Sequence, residues 1–209
     1  MAHAIIGGTF DPIHRGHVEC AVELRQRLGF SRLDLVPCHL PAHRDSPDSS
    51  ASHRLVMARL ATAGIAGVGV DDRELRREGP SYTADTLAEL REALGRNTSL
   101  TFVMGGDAFN TLQHWARWKS LFEFANVVVM ERDGVTCQPA AEVMAYTEPR
   151  RVDAETITAQ SSGGFARIAL RPWPQSATEV RRRLQAGEPL GDWLPEAVLD
   201  YIREHRLYL

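Results

Sequence analysis

The sequence has few cysteines and no long apolar run. Its three cysteines, Cys20, Cys38 and Cys137, are odd in number and far apart, which argues against a disulfide framework and against a metal ribbon. Such a set is typical of a reducing compartment. The N-terminus carries no charged segment followed by an apolar core, and no uninterrupted apolar stretch reaches the roughly 18 residues of a membrane-spanning helix. We therefore expect a soluble cytoplasmic protein without a membrane partner.

The chain also lacks a large excess of charge of either sign. Lysine and arginine number 24 against 27 aspartates and glutamates, so the formal net charge is only −3. Proteins that coat nucleic acids usually carry a basic excess, and we therefore expect no nucleic-acid partner. An anionic ligand would have to be met by individually placed cations, histidines and backbone N–H groups, which suits a small anion better than a polymer.

What the sequence does contain is a repeated alternation of strand and helix patterns. Apolar runs such as residues 100–104 and 127–130 alternate with segments of three-four apolar spacing. This alternation predicts the α/β class, as a Rossmann-like, doubly wound parallel sheet with helices on both faces. The length and the 44% hydrophobic content suit a single domain over residues 1–209, with a C-terminal helical portion from about residue 176. The polar segment 147–164 lacks periodicity, and we expect an insertion or a flexible connection there.

The most informative stretch follows the first apolar run, residues 3–6. It reads Gly7-Gly8-Thr9-Phe10-Asp11-Pro12-Ile13-His14-Arg15-Gly16-His17. From Val18 the pattern turns helical. A strand, a glycine turn and a helix N-terminus form a phosphate-binding arrangement, because backbone N–H groups and the positive end of the helix dipole converge on one spot. His14 and His17 are three residues apart at the helix start, so both project toward whatever the turn holds.

Structural alternatives are open for this stretch. A lone glycine pair or a lone histidine is usually structural, but two glycines, an Asp-Pro turn and two histidines around a third glycine have no joint packing reason. A zinc pair of the His-x-x-His type lacks an evident third and fourth ligand. Cys38 and His39 are neighbours and would point to opposite sides of a continuing strand. We therefore predict that the stretch is functional.

The whole stretch 7–17, with two histidines around a glycine, resembles the signature of the nucleotidyltransferase superfamily, and within it that of the bacterial nicotinate mononucleotide adenylyltransferases. The resemblance extends from residue 3 to about residue 208 and is weakest from 134 to 165. It implies that His14 and His17 are catalytic. It also implies ATP binding by the turn residues Gly7, Gly8, Thr9 and Phe10.

A second resemblance lies in the helix start Ser176-Ala177-Thr178-Glu179-Val180-Arg181. Ser176 and Glu179 form a capping-box pattern, so helix stability alone could explain both residues. The same turn and a half supplies N–H groups, two hydroxyls and a guanidinium, which suit a polyphosphate. It resembles the Ser-x-Thr-x-x-Arg element of the superfamily. The resemblance implies that the β- and γ-phosphates of ATP are held by Ser176, Thr178 and Arg181.

Two shorter elements extend the expected ATP site. Gly105-x-Asp107 follows an apolar run, and its acid either caps the next helix or, as the resemblance implies, holds the ribose hydroxyls of adenosine. Residues 41–44, Pro-Ala-His-Arg, resemble a Pro-Pro-His-Lys element whose cation reaches the substrate phosphates. Here Arg44 stands in place of the lysine, with a planar fork instead of a point charge. A solvated loop charge is the alternative for Arg44.

The second substrate is indicated by residues 81–87, Ser-Tyr-Thr-Ala-Asp-Thr-Leu. This segment resembles the one in which the nicotinate enzymes receive the nicotinate carboxylate at a helix N-terminus, where an anion gains more than a carboxamide. The alternative is that Thr83 caps the helix. The resemblance implies substrate contacts from Tyr82, Thr83, Thr86 and Trp115. Because Ala116 stands where the family often has a further aromatic residue, His114 or Trp118 would have to complete the aromatic wall.

Together these resemblances imply in-line attack by the 5′-phosphate of nicotinate mononucleotide on the α-phosphorus of ATP, with pyrophosphate as leaving group. Mg²⁺ would arrive with ATP, since we find no dedicated carboxylate cage and Asp11 is the one nearby acid. The other open functions are an adenylyltransferase for nicotinamide mononucleotide or pantetheine phosphate, and a non-catalytic nucleotide-binding sensor. The sequence leaves the oligomeric state open, a homo-oligomer included.

Overall fold

The computed structural model describes residues 1–41, 47–131 and 136–209. Within these residues the strands are β1 Ala2–Gly8, β2 Arg32–Pro37, β3 Leu40–Pro41, β4 Val68–Val70, β5 Pro80–Ser81, β6 Ser99–Gly105, β7 Asn126–Glu131 and β8 Phe165–Ala169. The α-helices are α1 Arg15–Arg27, α2 Ala51–Thr62, α3 Thr83–Leu94, α4 Gly106–Asn110, α5 Leu121–Phe124, α6 Ala141–Thr147, α7 Ala177–Gln185 and α8 Glu196–Glu204. Short 3₁₀ turns lie at residues 73–76, 112–114, 118–120, 148–150 and 154–159.

Six of these strands form one parallel sheet in the order β4-β2-β1-β6-β7-β8. The register of β1 on β6 runs from Ala2 opposite Ser99 to Ile6 opposite Val103. The strand order proceeds in one direction from β1 to β4 and in the other from β6 to β8. Because parallel crossovers are right-handed, this reversal places the connecting helices on opposite faces. The predicted doubly wound α/β fold is therefore confirmed.

The middle strands are apolar because a parallel sheet is covered on both faces. Every residue of β6 except Gly105 is buried, and so is every residue of β7 except Glu131. Consecutive valines suit such a strand, since their branched side chains pack on both sides of the sheet. α3 buries Leu87 and Leu90 at the three-residue spacing expected of an amphipathic helix.

Helix α1 begins three residues before the start that the apolar pattern predicts. The backbone N–H groups of His17 and Val18 both donate to the carbonyl of His14, so the first helical turn already contains Gly16 and His17. That turn is polar, and hydrophobic periodicity therefore does not reveal it.

Residues 147–164 are not the irregular connection that their composition suggests. They contain the 3₁₀ turns 148–150 and 154–159, and Ile157 is fully buried. The buried side-chain amide of Asn126, the first residue of β7, donates to the Ile157 carbonyl at 3.1 Å. The expectation of a flexible connection is therefore wrong, because hydrogen bonds from neighbouring elements hold a segment that lacks apolar periodicity.

The chain packs as two compact units. The first unit comprises Met1–Gly7, Glu23–Leu33 and Tyr82–Pro172, and the second unit comprises Gly8–Val22, Asp34–Ser81 and Trp173–Leu209. The expectation of one domain over residues 1–209 stays a prediction. Among the described residues, no helix has the length and apolar character needed to cross a membrane.

Candidate active site

Gly7 and Gly8 are the last residues of β1, and the turn that follows packs the Phe10 ring against Gly8. The Phe10 backbone has a positive φ of 50°, and its side chain is only 4% exposed. A β-carbon at Gly8 would lie 2.9 Å from the Phe10 ring, so a side chain at that position would displace the ring. A left-handed phenylalanine costs energy and persists where its surroundings fix it, which is typical of functional sites.

The two motif histidines are stacked on each other. Their ring centroids are 3.7 Å apart, and the His17 ring also meets the Phe10 ring edge-on at 5.1 Å. His14 is buried, whereas His17 is half-buried. The backbone N–H of His14 donates to Nδ1 of His17 at 3.3 Å. Because Nδ1 accepts, the proton of a neutral His17 ring lies on Nε2, which makes that nitrogen a hydrogen-bond donor.

The glycine between the histidines allows this stacking. A β-carbon at Gly16 would lie 3.2 Å from the His14 ring and 3.2 Å from Cβ of Trp173. Both distances are shorter than ordinary van der Waals contact, so either the ring or the tryptophan would have to move. Gly16 therefore has a packing reason that the sequence pattern alone did not show.

Asp11 has a structural role that its place in the motif did not reveal. Its side chain is 5% exposed, and its carboxylate accepts hydrogen bonds from the backbone N–H groups of Asp48 at 2.8 Å and Ser49 at 3.2 Å. The hydroxyl of Tyr208 is a third donor, at 2.5 Å. Both carboxylate oxygens thus carry protein donors. Asp11 thus ties the turn to the residues that precede α2, and its role toward Mg²⁺ stays a prediction.

Arg181 of α7 lies against the same turn. Its Nη1 donates to the backbone carbonyl of Asp11 at 2.6 Å, and its Nε pairs with the Asp48 carboxylate at 2.6 Å. The contact joins residues that are 170 positions apart in the sequence. The structure thus brings Arg181 to the turn that leads into His14 and His17. The role of Arg181 in phosphate binding stays a prediction.

The start of α7 is capped by Ser176. Its hydroxyl accepts a hydrogen bond from the backbone N–H of Glu179 at 3.2 Å. Hydrogen bonds from Arg182 and Arg183 lower the pKa of Glu179 to about 2. Ser176 therefore caps α7, as the capping-box pattern predicts. Ser176 and Thr178 are both exposed at this helix start, and their contact with ATP stays a prediction.

Arg54 is a buried residue of this region that the sequence analysis missed. Its guanidinium donates to the backbone carbonyls of Thr9 at 2.7 Å, His39 at 3.1 Å and Ser49 at 3.3 Å. Arg54 is 1% exposed, and its hydrogen bond to the Thr9 carbonyl fixes the turn at residues 9–12 from within the second unit. One signal was available, since Arg54 lies three residues before the apolar Met57 on the buried face of α2.

In the first unit, predicted pyridine-site residues meet at the start of α3. The N-cap residue is Tyr82, which makes no side-chain cap hydrogen bond, and Thr83 is the first helical residue. The alternative in which Thr83 caps the helix is therefore wrong. Arg117 pairs with Asp85 at 2.8 Å and lies over the Tyr82 ring at 5.9 Å. These contacts fix the segment that follows Trp115 beside the helix start.

The aromatic residues near this segment divide into core and surface. Trp115 is half-buried and packs at a tilt on Phe102, with ring centroids 6.2 Å apart. Trp118, considered for the aromatic wall, is buried and meets the Tyr146 ring edge-on at 5.1 Å. Thr86 is also buried. Trp118 therefore belongs to the core, whereas Trp115 is only half-buried, and its contact with a ligand stays a prediction.

The remaining predicted residues lie at strand ends or outside the described chain. Gly105 ends β6, and Asp107 is exposed in the first turn of α4. Gly7 is exposed near the end of β1. Arg44 falls between residues 41 and 47 and lies outside the described residues. The ATP-binding roles of all four stay predictions.

The doubly wound parallel sheet is the fold expected of a nucleotidyltransferase. A model of the cytidylyltransferase-like family matches residues 5–183, and the chain belongs to that family. One relative, from Cellvibrio japonicus, is 41% identical over 98% of this chain and 97% of its own. Another, from Chromobacterium violaceum, is 42% identical over 98% of this chain and 97% of its own. Both carry the name "Probable nicotinate-nucleotide adenylyltransferase".

Solved structures share the fold over nearly the whole chain. Plasmodium falciparum nicotinic acid mononucleotide adenylyltransferase complexed with NaAD superposes with a TM-score of 0.73 at 17% identity, covering 99% of this chain and 97% of its own. The same protein complexed with APC gives a TM-score of 0.70 at 18% identity, covering 99% and 96%. At these identities the likeness establishes the fold.

Proposed function

We propose that this chain transfers the adenylyl group of ATP to nicotinate mononucleotide, forming nicotinate adenine dinucleotide and pyrophosphate in NAD biosynthesis. The observation that carries the proposal is the cluster of His14, His17 and Arg181 around the turn at Asp11. An imidazole N–H and a guanidinium are donors that suit a triphosphate. Full-length relatives at 41% and 42% identity, named for the same reaction, support it.

The nucleophile in this reaction is the phosphate of the second substrate. Cys38 lies beside the turn, with Sγ 3.8 Å from the Thr9 hydroxyl, but burial raises the pKa of its thiol, so it stays protonated at neutral pH. Catalysis then consists of positioning and of neutralising charge on the transferring group. In this proposal His17 donates from Nε2 to a phosphate oxygen, and Arg181 holds the leaving pyrophosphate.

The nicotinate carboxylate is proposed to bind at the start of α3. Tyr82 supplies no side-chain cap, so the first backbone N–H groups of the helix, beginning at Thr83, suit a ligand anion. An anion at a helix N-terminus gains roughly 0.3–2 kcal/mol from the N–H groups and the dipole, and a neutral carboxamide gains less. Trp115 offers ring surface for the pyridine.

Mg²⁺ is proposed to enter with ATP, as part of the substrate. Both carboxylate oxygens of Asp11 accept hydrogen bonds from protein donors. In the part of the chain that the structure describes, no three acidic, histidine or cysteine side chains are arranged to hold a metal. The ion bound to ATP would neutralise phosphate charge. The cytoplasm is the compartment we propose, in agreement with three cysteines without paired spacing.

Comparing acceptors tests this function directly. Pyrophosphate release from ATP should be fastest with nicotinate mononucleotide, with kcat/KM about tenfold above that for nicotinamide mononucleotide, because only the acid offers an anion to the α3 N-terminus. Initial rates with these two acceptors and with pantetheine phosphate measure the preference. A higher rate with either of the other two acceptors would identify that acceptor as the substrate and contradict the proposal. ATP binding without pyrophosphate release in all three assays would identify a sensor.

Replacing Arg181 is expected to weaken the use of ATP. Arg181→Gln removes a charged phosphate donor worth roughly 1.5–3 kcal/mol, so KM for ATP should rise at least about tenfold. Initial rates at varied ATP concentration measure this change. Arg182→Gln on the same helix is the control, because Arg182 is exposed and pairs with Glu179 and Glu188. The same KM in both variants would contradict the assignment.

A further inference from the structure

The C-terminal tail, residues 205–209, contacts the turn at residues 9–12 that leads into His14 and His17. Tyr208, the penultimate residue, lies beyond the end of α8, and its hydroxyl donates to Oδ1 of Asp11 at 2.5 Å. The two residues are 197 positions apart in the sequence. The ring of Tyr208 is half-buried, whereas the final residue, Leu209, is exposed. The Tyr208 side chain therefore contacts the turn that leads into His14 and His17.

The backbone of this tail is held in an unusual conformation. Arg206 has a φ of 52° and Tyr208 a φ of 61°, both in the left-handed region that side chains other than glycine rarely adopt. The backbone N–H of Leu207 donates to the carbonyl of Ile202, which fixes the turn out of α8. Left-handed residues persist where contacts over-determine them. Here those contacts direct the Tyr208 hydroxyl at Asp11.

Asp11 is the point at which separate parts of the second unit meet. Its carboxylate accepts from the backbone N–H groups of Asp48 and Ser49, and its backbone carbonyl accepts from Arg181. Tyr208 supplies the one side-chain donor to the carboxylate among these contacts. Burial and the neighbouring carboxylate raise the pKa of Tyr208, so its hydroxyl stays a donor at neutral pH.

We propose that Tyr208 is a positioning residue for adenylyl transfer, acting through Asp11 on the turn that leads into His14 and His17. The inference rests on the proposed function for its catalytic consequence, but the positioning itself is a property of the protein alone. Loss of the hydroxyl leaves the turn less well fixed. Misplaced donors cost more in the transition state than in substrate binding, so the effect should fall on kcat.

A matched pair of tyrosine variants tests this role. Tyr208→Phe keeps the ring and removes the hydroxyl, and should lower kcat about tenfold with KM for both substrates within about twofold. Tyr201→Phe on α8 is the control. It loses a hydrogen bond of similar length, 2.8 Å to Nδ1 of His53, and this bond involves neither Asp11 nor any of its hydrogen-bond donors. Its kcat should stay within about twofold of the unaltered enzyme.

A readout without substrate separates this inference from the proposed function. The imidazole Cε1–H resonances of His14 and His17 should shift in Tyr208→Phe and keep their positions in Tyr201→Phe. If they shift while no acceptor supports pyrophosphate release, the positioning role stands and the proposed reaction fails. Unchanged resonances together with an unchanged kcat would overturn the positioning role. An equal loss of kcat in both variants would also overturn it.

If the Tyr208→Phe variant folds poorly, a pair of truncated chains tests the same role. Removing residue 209 alone should leave kcat unchanged, because Leu209 is exposed. Removing residues 208 and 209 should reproduce the loss seen with Tyr208→Phe. If both truncated chains, shown by circular dichroism to be folded, have the same kcat as the full chain, the tail does not position the turn.

Discussion

Replacing His17 by alanine is expected to lower kcat by about two to three orders of magnitude, which is the usual cost of losing one preorganised donor to a developing oxyanion. The His14 N–H holds Nδ1 of His17, so the ring presents Nε2–H in a fixed tautomer. Alanine keeps the helical backbone of α1, and the fold should remain intact. Initial rates of pyrophosphate release measure kcat, and circular dichroism checks the fold.

Two companion variants separate the chemistry of His17 from its packing. His17→Gln keeps an N–H donor on a side chain of similar reach and should recover part of the lost rate. His205→Ala removes an imidazole that stacks on Tyr201 rather than on a histidine of the motif, and should leave kcat within about twofold. Turnover near the original rate in a folded His17→Ala enzyme would remove this imidazole from the mechanism.

Local sequence patterns predict the architecture because a buried parallel sheet leaves a plain signature. The runs 100–104 and 127–130 differ from β6 and β7 by one residue at each end, since buried strands are continuously apolar. The motif 7–17 was predicted to lie between a strand and a helix because an apolar run precedes it and a helical apolar spacing follows it. The exact first residue of α1 and the ordered structure of segment 147–164 were not predicted, because hydrogen bonds rather than apolar spacing define them.

The partners of the turn at residues 9–12 could not be predicted, because they come from distant parts of the chain. Asp11 contacts residues that lie 37, 170 and 197 positions away. Each contact depends on how whole elements pack, which no local pattern encodes. The sequence therefore identified His14, His17 and Arg181 as candidates for function, whereas Tyr208 and Arg54, which hold the turn, became visible only in the structure.

Arg54→Met is expected to lower the free energy of unfolding by about 3–5 kcal/mol. The guanidinium is buried and donates to the carbonyls of Thr9, His39 and Ser49. Methionine has a comparable length but no donor, and a buried acceptor left without a partner costs roughly 1–3 kcal/mol. Urea denaturation with an unchanged m-value would measure the loss as a change in stability alone.

Arg59→Met on the same helix is the matched control for this loss. The Arg59 side chain is 57% exposed and pairs with Asp72 at 3.1 Å, an arrangement worth about 0–1 kcal/mol. Similar destabilisation by both variants would contradict the role given to the Arg54 hydrogen bonds. If the turn at residues 9–12 binds ATP as proposed, the folded fraction of Arg54→Met should also have a raised KM for ATP. An unchanged KM would show that Arg54 stabilises the second unit without shaping the turn.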